Sequence, residues 1–209
     1  MIRIGIVDDH AIIRTALKAT LEMHVDFRVA GTAATGEEAV TLANSGTIDL
    51  MLMDLGLRGT SGIEAITEIR RAVPEVRILV YSAFPEELYG TSLLNMGVRG
   101  YVGKEQDINT LVAALRTVAQ GGIHASREVR EQAHSAQGRG AADAYKLLSA
   151  REMQVFLKLA KGARIGDVAT DMGVSIKTAS TYRSRILAKM NMTSNTEFTR
   201  YAVAHHLIT

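Results

Sequence analysis

Asp8, Asp9, Asp54, Ser82 and Lys104 are the residues whose types and spacing could do chemistry together. They stand at or just after the carboxyl ends of four short apolar runs, residues 2–7, 48–53, 77–81 and 100–102. Runs of that length, bounded by polar residues, read as buried strands of a parallel sheet covered on both faces. Open α/β sheets bind ligands at the carboxyl ends of such strands. Two neighbouring strands would bring the three aspartates to one sheet edge, where a cation or protons must relieve their repulsion. The chemistry this suits is magnesium-assisted acceptance of a phosphoryl group. Asp54 is the candidate nucleophile and Asp8 and Asp9 the candidate metal-side acids, since a carboxylate can attack phosphorus once a metal neutralises the transferring oxygens. Two or three carboxylates and one backbone carbonyl suffice for magnesium, which prefers oxygen ligands and keeps some waters. Ser82 offers a hydroxyl to one phosphoryl oxygen and Lys104 a point charge to another. Taken singly, an acid after a strand is ordinarily a loop residue or a helix cap, and a lysine there a solvated charge. The combination at the ends of four different runs is what points to a site.

These residues need a scaffold, and the first 120 residues spell one. A further strand-like run at 28–33 brings the number of candidate strands to five. Helical patterns fall between and after them at 10–23, 36–43, 62–71, 85–96 and 107–120. Such alternation argues an α/β fold, a doubly wound five-stranded parallel sheet with a crevice where the strand order reverses.

With 209 residues, 47% of them hydrophobic and 22% charged, the chain describes a soluble globular protein of one large or two small domains. It contains no cysteine, which excludes disulfides and thiolate metal sites and fits a reducing cytosol. The N-terminus is broken by Asp8, Asp9 and Arg14 too early for a signal peptide, and no apolar run is long enough to span a bilayer. A cytoplasmic location follows. The net charge of +2 is unevenly spread. Residues 1–120 carry 11 Lys/Arg against 15 Asp/Glu, net −4, and residues 121–209 carry 13 against 7, net +6. An acidic half before a basic half suggests two modules, the second a candidate for nucleic acid.

Three parts are expected: a first domain over 1–120, a linker over 121–146 and a second domain over 147–209. The linker stretch is rich in Gly, Ser, Gln and Ala; its first part, 127–134, reads as helical and the rest as flexible. Beyond it the pattern is all-α, with four helices at 150–161, 165–172, 176–190 and 195–206. Ser149 and Glu152 form a capping-box signature, and Gly162 and Gly173 mark helix ends. Between Asp171 and Glu197 there is no acid. Within that stretch Lys177, Arg183, Arg185 and Lys189 share a helix with Thr178, Ser180, Thr181, Tyr182 and Ser184. Ile176, Ala179, Ile186, Leu187 and Met190 supply its apolar positions, at spacings suited to packing on neighbouring helices. A helix apolar on one side and basic and hydroxyl-rich on the other fits the major groove of DNA. Charge alone would equally describe a solvated helix of a bundle; the helix–glycine–helix spacing together with the acid-free run favours DNA.

At this point the residues carry a resemblance. Val7-Asp-Asp-His10, Met53-Asp-Leu55, Tyr81-Ser-Ala83 and Gly100-Tyr-Val-Gly-Lys104, in this order, resemble the receiver domain of bacterial response regulators, a flavodoxin-like fold. Leu148-Ser-Ala-Arg-Glu152, Lys161-Gly162, Asp167-Val-Ala169, Val174-Ser175, Lys177-Thr178 and Ile186-Leu-Ala-Lys189-Met190 resemble the LuxR-type helix-turn-helix. Nearly the whole chain is thus similar to the NarL/FixJ class of two-component response regulators, and the run from Lys177 to Arg185 looks closest to the GacA/UvrY-like branch.

The resemblance implies that a sensor histidine kinase phosphorylates Asp54, with magnesium held by Asp8, Asp9, Asp54 and the backbone carbonyl of Gly56. It implies that Ser82 moves toward the phosphoryl group and that Tyr101 changes rotamer with it. Ser180, Thr181 and Ser184 are then the base-edge readers, with Lys177, Arg183, Arg185 and Lys189 on phosphates and Thr178 beside them. Most of the stripe Phe198, Tyr201, Ala202 and His205 reads as core, and the resemblance implies that part of it forms the contact of a homodimer on promoter DNA. The sequence departs from the family at Arg58 and Glu105, where proline is usual, and at Ala179, Ser180 and Tyr182, so base preference does not carry over. The leading expectation is a transcription regulator in which phosphorylation controls dimerisation and DNA binding, with no enzymatic activity beyond self-phosphorylation from small donors and self-dephosphorylation. An aspartyl-nucleophile phosphatase or phosphotransferase is the alternative from another class. It lacks an acid two residues after Asp54, where Gly56 stands. An interaction module binding protein or RNA is a third.

Overall fold

The computed structural model describes residues 1–57, 62–134, 145, 148–190 and 192–208. Its contacts divide the chain into two compact units, Met1–His134 and Ser135–Thr209.

The first unit alternates β1 (Ile2–Val7), α1 (Ala11–Leu21), β2 (Phe27–Ala33), α2 (Gly36–Asn44), β3 (Leu50–Met53), α3 (Gly62–Ala72), β4 (Arg77–Ser82), α4 (Glu86–Asn95), β5 (Gly100–Gly103) and α5 (Ile108–Ala119), and ends in α6 (Arg127–His134). The strands form one parallel sheet in the order β2-β1-β3-β4-β5. The order reverses between β1 and β3, so the crevice lies beyond Val7 and Met53, which are register partners. β3 is four residues long and wholly buried, because helices cover both faces of the sheet. It begins two residues later than the apolar run suggests. Just before it, the Asp49 backbone donates to Arg3 O (2.8 Å) and accepts from the Arg77 amide (3.1 Å), while its carboxylate accepts from Arg3 Nη2 at 2.6 Å and from the Arg3 amide at 2.9 Å.

On one face Leu17 and Leu21 of α1 and Leu111, Leu115 and Val118 of α5 pack on Ile4, Ile6, Leu50, Leu52, Leu79 and Val102. The alternate positions Met51, Met53, Ile78 and Val80 are fully buried on the other face. There α2 sits close: a Cβ on Gly31 would come within 2.5 Å of Leu42, so glycine in β2 is what admits that leucine.

The N-terminal unit does not end with α5. After Gly121, whose φ of 87° turns the chain, His124 accepts from the Tyr101 amide (2.8 Å) and donates to the Arg99 carbonyl (3.0 Å). Helix α6 then lies against α4, with Val129 only 2% exposed and Thr91 Oγ1 donating to Gln132 Oε1 at 3.1 Å. The helical expectation for 127–134 is met. Most of the remaining linker stretch, like Arg58, lies outside the described residues.

The second unit contains α7 (Ala150–Ala160), α8 (Ile165–Asp171), α9 (Ile176–Met190) and α10 (Asn195–Ala204). Both box-capped helices start as their sequences require: Ser149 and Ser194 each accept from the amide three residues on, and Glu152 and Glu197 reach back. Gly162 and Gly173 adopt φ of 88° and 63° at the ends of α7 and α8. The core gathers Phe156, Leu159, Val168, Ala179, Ile186 and Phe198, with the Phe156 and Phe198 rings edge to face at 5.3 Å.

Candidate functional site

Asp8 and Asp54 follow adjacent strands directly, so the sheet sets their spacing. The Asp54 amide donates to Val7 O (2.9 Å) and the Asp8 amide to Ala33 O (3.2 Å), which extends the ladder into the loops. Both carboxylates are buried, at 1% and 5% exposure, and Asp9 is partly so. Burying two acids side by side requires a counter-charge. Lys104 provides it from the end of β5, its Nζ 2.6 Å from Asp8 Oδ2 and 2.7 Å from Asp54 Oδ2. Burial pulls the Lys104 ammonium down, but its bonds to Asp54 and Asp8 outweigh that and the net displacement is upward. The lysine is aimed by its own backbone, whose amide donates to Ser82 O at 2.8 Å.

The sequence-predicted pocket residues thus converge. Ser82 is 1% exposed, and its hydroxyl accepts from the Phe84 amide at 3.4 Å. Gly56 donates its amide to Asp54 Oδ1 at 3.1 Å, fixing the loop beyond β3. The Tyr101 ring is buried, its hydroxyl donates to Phe84 O at 2.7 Å, and burial pushes the phenol well above its ordinary range. Glu105, the departure beside Lys104, folds back over Gly103, where any Cβ would collide with its carboxylate.

Two contributors went unassigned in the sequence reading. His10 lies with Nδ1 2.8 Å from Asp9 Oδ1 and 3.2 Å from Asp8 Oδ1, and its amide donates to Asp8 Oδ1 at 2.8 Å. Arg14 Nη1 donates to the Asp8 carbonyl at 2.6 Å. The spacing of four between them, from the N-cap of α1 into its first turn straight after the acid pair, was a usable signal. Asp8, Asp9 and His10 also bring potential ligand atoms within 4.8 Å of one another.

In the second unit α9 presents Lys177, Thr178, Ser180, Thr181, Ser184 and Arg185 as exposed residues, with Arg183 half-buried. Ser175 accepts from the Thr178 amide at 3.0 Å, so Thr178 belongs to the helix cap. Arg183 Nε donates to Asn195 Oδ1 at 2.7 Å. Lys189 Nζ lies 2.6 Å from Glu152 Oε2, tying the end of α9 to the start of α7. Burial pushes Glu152 up, but Lys189 and the Ser149 amide pull harder and hold it below the ordinary carboxylate value. From α7, the buried Arg151 donates to the Met172 carbonyl at 2.8 Å and so closes the end of α8 just before the turn.

Two expectations change. Phe198 and Ala202 have no exposed surface. They pack inside their own unit, so they cannot be intermolecular contacts; α7 supplies the partner that the stripe required. Tyr201 and His205 remain partly exposed, their rings stacked at 4.1 Å. Ile176, expected among the packing positions of α9, is 60% exposed at the first turn of the helix.

A five-stranded parallel α/β unit with buried acids at its switch point, ahead of a four-helix unit with a helix–turn–helix, defines a two-module regulator class. Known families agree. Residues 4–116 match the response regulator receiver domain, and residues 146–202 match the bacterial regulatory proteins of the luxR family. The chain belongs to the response regulators that join these two domains, the NarL/FixJ class. It is 29% identical over 209 residues to response regulator UvrY of Escherichia coli (strain K12), covering 99% of this chain and 96% of that protein. It is 32% identical over 215 residues to oxygen regulatory protein NreC of Staphylococcus epidermidis (strain ATCC 12228 / FDA PCI 1200), covering 99% of each. Its fold is similar to that of RcsB from Salmonella enterica serovar Typhimurium bound to promoter rprA in the presence of phosphomimetic BeF3−. That likeness has a TM-score of 0.70 at 23% identity and covers 98% of this chain and 100% of that one. Among the described residues no helix is long and apolar enough to cross a membrane.

Proposed function

We propose that Asp54 accepts a phosphoryl group from a sensor histidine kinase and that this modification controls homodimerisation and promoter binding through α9. The observation that carries the reading is the buried Asp54 carboxylate held 2.7 Å from the Lys104 ammonium beside Asp8 at the sheet's switch point. An Asp54 oxygen forms the new bond to phosphorus while the bond between phosphorus and the donor's imidazole nitrogen breaks, its electron pair returning to the ring. Lys104 and the Ser82 hydroxyl then face phosphoryl oxygens. The residues fit magnesium: Asp8, Asp9 and His10 bring potential ligand atoms within 4.8 Å of one another, and Lys104 joins the Asp8 and Asp54 carboxylates beside them. Asp8, Asp9, Asp54 and the Gly56 carbonyl would hold the ion, which when bound neutralises charge on the transferring oxygens. On this reading the same site takes a phosphoryl group from small phosphodonors and loses it by self-dephosphorylation.

The switch is a two-state equilibrium biased by the new charge. Ser82 and Tyr101 connect the pocket to α4 through the Phe84 loop. We assign the receiver to residues 1–120, extended by α6 on α4, and the DNA-binding domain to 147–209. On α9, Ser180, Thr181 and Ser184 face base edges and Lys177, Arg183 and Arg185 face phosphates; Lys189 is engaged by Glu152. Tyr201 and His205 are what remains of the dimer stripe. The UvrY, NreC and RcsB likenesses support this reading, and with it a bacterial cytoplasmic location.

The test is intact mass after incubation with a small phosphodonor and magnesium, followed by sequencing of genomic fragments retained by the protein. A phosphoryl mass gain in the wild type and none in Asp54→Asn is expected, with a palindromic motif enriched by the donor. Equal mass gain in both proteins, or turnover of small phosphate esters, would overturn it.

A further inference from the structure

Helix α9 buries Ala179, Ile186 and Met190, half-buries Tyr182, Arg183 and Leu187 and exposes its polar face, with one exception to its amphipathic logic. Ile176 stands in the first turn with 60% of its surface in solvent. The turn before α9 is closed without it: Ser175 caps the helix, and Gly173 supplies the positive φ. Exposure of one apolar residue is ordinary by itself, since Ile12 and Val25 are more exposed, but Ile176 alone of these stands at the start of α9, and its side chain carries no hydrogen-bonding group. Its position relative to the polar residues is informative. Ile176, Ser180 and Ser184 follow one another at intervals of four, so they form a line along one side of the exposed face.

The hydroxyls next to it have a defined polarity. Thr181 Oγ1 donates to the Lys177 carbonyl (2.9 Å) and Ser184 Oγ to the Ser180 carbonyl (3.1 Å). Each has spent its one proton on its own helix and can only accept. In the major groove the base-edge donors are the adenine N6 and cytosine N4 amino groups, while the one apolar feature is the thymine methyl. Recognition helices enter the groove by their N-terminal residues, which is where Ile176 stands.

We propose that Ile176 is a specificity-determining residue that reads a thymine methyl group in the major groove. The inference rests on the proposed DNA-binding role of α9 and adds a contact that its polar residues do not supply. Ile176 selects thymine by burying the 5-methyl group, and the acceptor-only hydroxyls of Thr181 and Ser184 favour adenine or cytosine on the bases they face.

The experiment uses the full chain with a small phosphodonor and magnesium. A random duplex library yields a selected duplex, in which each thymine is replaced in turn by deoxyuridine, removing only the methyl. At one thymine per half-site, replacement should weaken wild-type binding about fourfold, the equivalent of one buried methyl. Ile176→Ala should bind the thymine duplex more weakly by at least as much and be indifferent to deoxyuridine at that position. Ile176→Val should retain part of the discrimination. A thermal melt of each variant separates binding loss from unfolding, which an exposed residue should not cause. Equal deoxyuridine sensitivity of wild type and Ile176→Ala at every thymine overturns the inference while leaving DNA binding intact. Failure to enrich any duplex overturns the DNA-binding reading itself, and the inference with it.

Discussion

Lys104 and Asp54 lie 50 residues apart in sequence and 2.7 Å apart in space, and the same ammonium reaches Asp8 at 2.6 Å. One cation thus holds two buried carboxylates that adjacent strands force together. Removing one partner of a buried ion pair costs about 3–5 kcal/mol, because the remaining charge is stranded. Lys104→Met should therefore lose on the order of 3 kcal/mol in urea unfolding at neutral pH. Adding Asp54→Asn should restore part of that loss by removing one stranded charge. An unchanged midpoint in Lys104→Met would mean that solvent, not the lysine, compensates the acids.

The Tyr89 phenol suggests a gain instead. The ring is 1% exposed and packs on Phe84 at 5.3 Å, while its hydroxyl has no hydrogen-bond partner among the described residues. Burial alone pushes this phenol far above its ordinary value. An unsatisfied buried hydroxyl costs about 1–3 kcal/mol, so Tyr89→Phe should stabilise the protein by about 1 kcal/mol. A loss of stability in the denaturation curve would show that the hydroxyl is satisfied in solution.

Helix α6 is held on α4 by close approach. A Cβ on Gly90 would come within 2.8 Å of Val129 Cγ1, so glycine there is what lets the helices meet. Val129→Ser should free α6 while leaving the sheet intact. Hydrogen exchange should rise at least tenfold at Arg127–His134, equivalent to a loss of about 1.4 kcal/mol, with β1 and β3 unaffected. Uniform acceleration across the unit would instead mean that α6 is part of the global folding core.

For Glu152 the expectation is a pH dependence. Its carboxyl is depressed in the folded state, so its contribution is present above the unfolded value of about 4.3. That contribution is lost as pH falls through the still lower folded value. Glu152→Gln should be less stable than wild type by about 1–3 kcal/mol at neutral pH. The gap should close below pH of about 4. A gap independent of pH would assign the effect to packing rather than to the Lys189 pair.

The cations of α9 should separate by role. Arg185 is exposed, and Arg185→Ala should weaken binding to all duplexes alike and reduce the log–log salt slope by about 0.9. Lys189→Ala should chiefly lower stability, because its ammonium holds Glu152. Arg183→Ala should do some of both, since its Nε is tied to Asn195. Equal salt slopes for Arg185→Ala and wild type would remove that arginine from the DNA contact.

What the sequence determined by itself was everything set by local period and chain order. The alternation of apolar runs and helical stripes gave five strands and their helices, and the acids, serine and lysine could be read at the strand ends because a parallel sheet puts all those ends on one edge. The capping box at Ser149 and the glycines at 162 and 173 marked helix ends because caps are made within a few residues. The tertiary structure decided what depends on distant partners. Helical spacing marked most of the Phe198 stripe as core but could not tell which of its residues α7 would cover, or that Ile176 would be left exposed, since a stripe says that a face is apolar and not what meets it. Nor did sequence show that Lys104 would bridge Asp8 and Asp54, that Lys189 would be taken by Glu152, or that α6 would settle on α4. Each of these pairs joins segments whose approach is set by the packed core, and the energy of a buried charge or methyl depends on that approach.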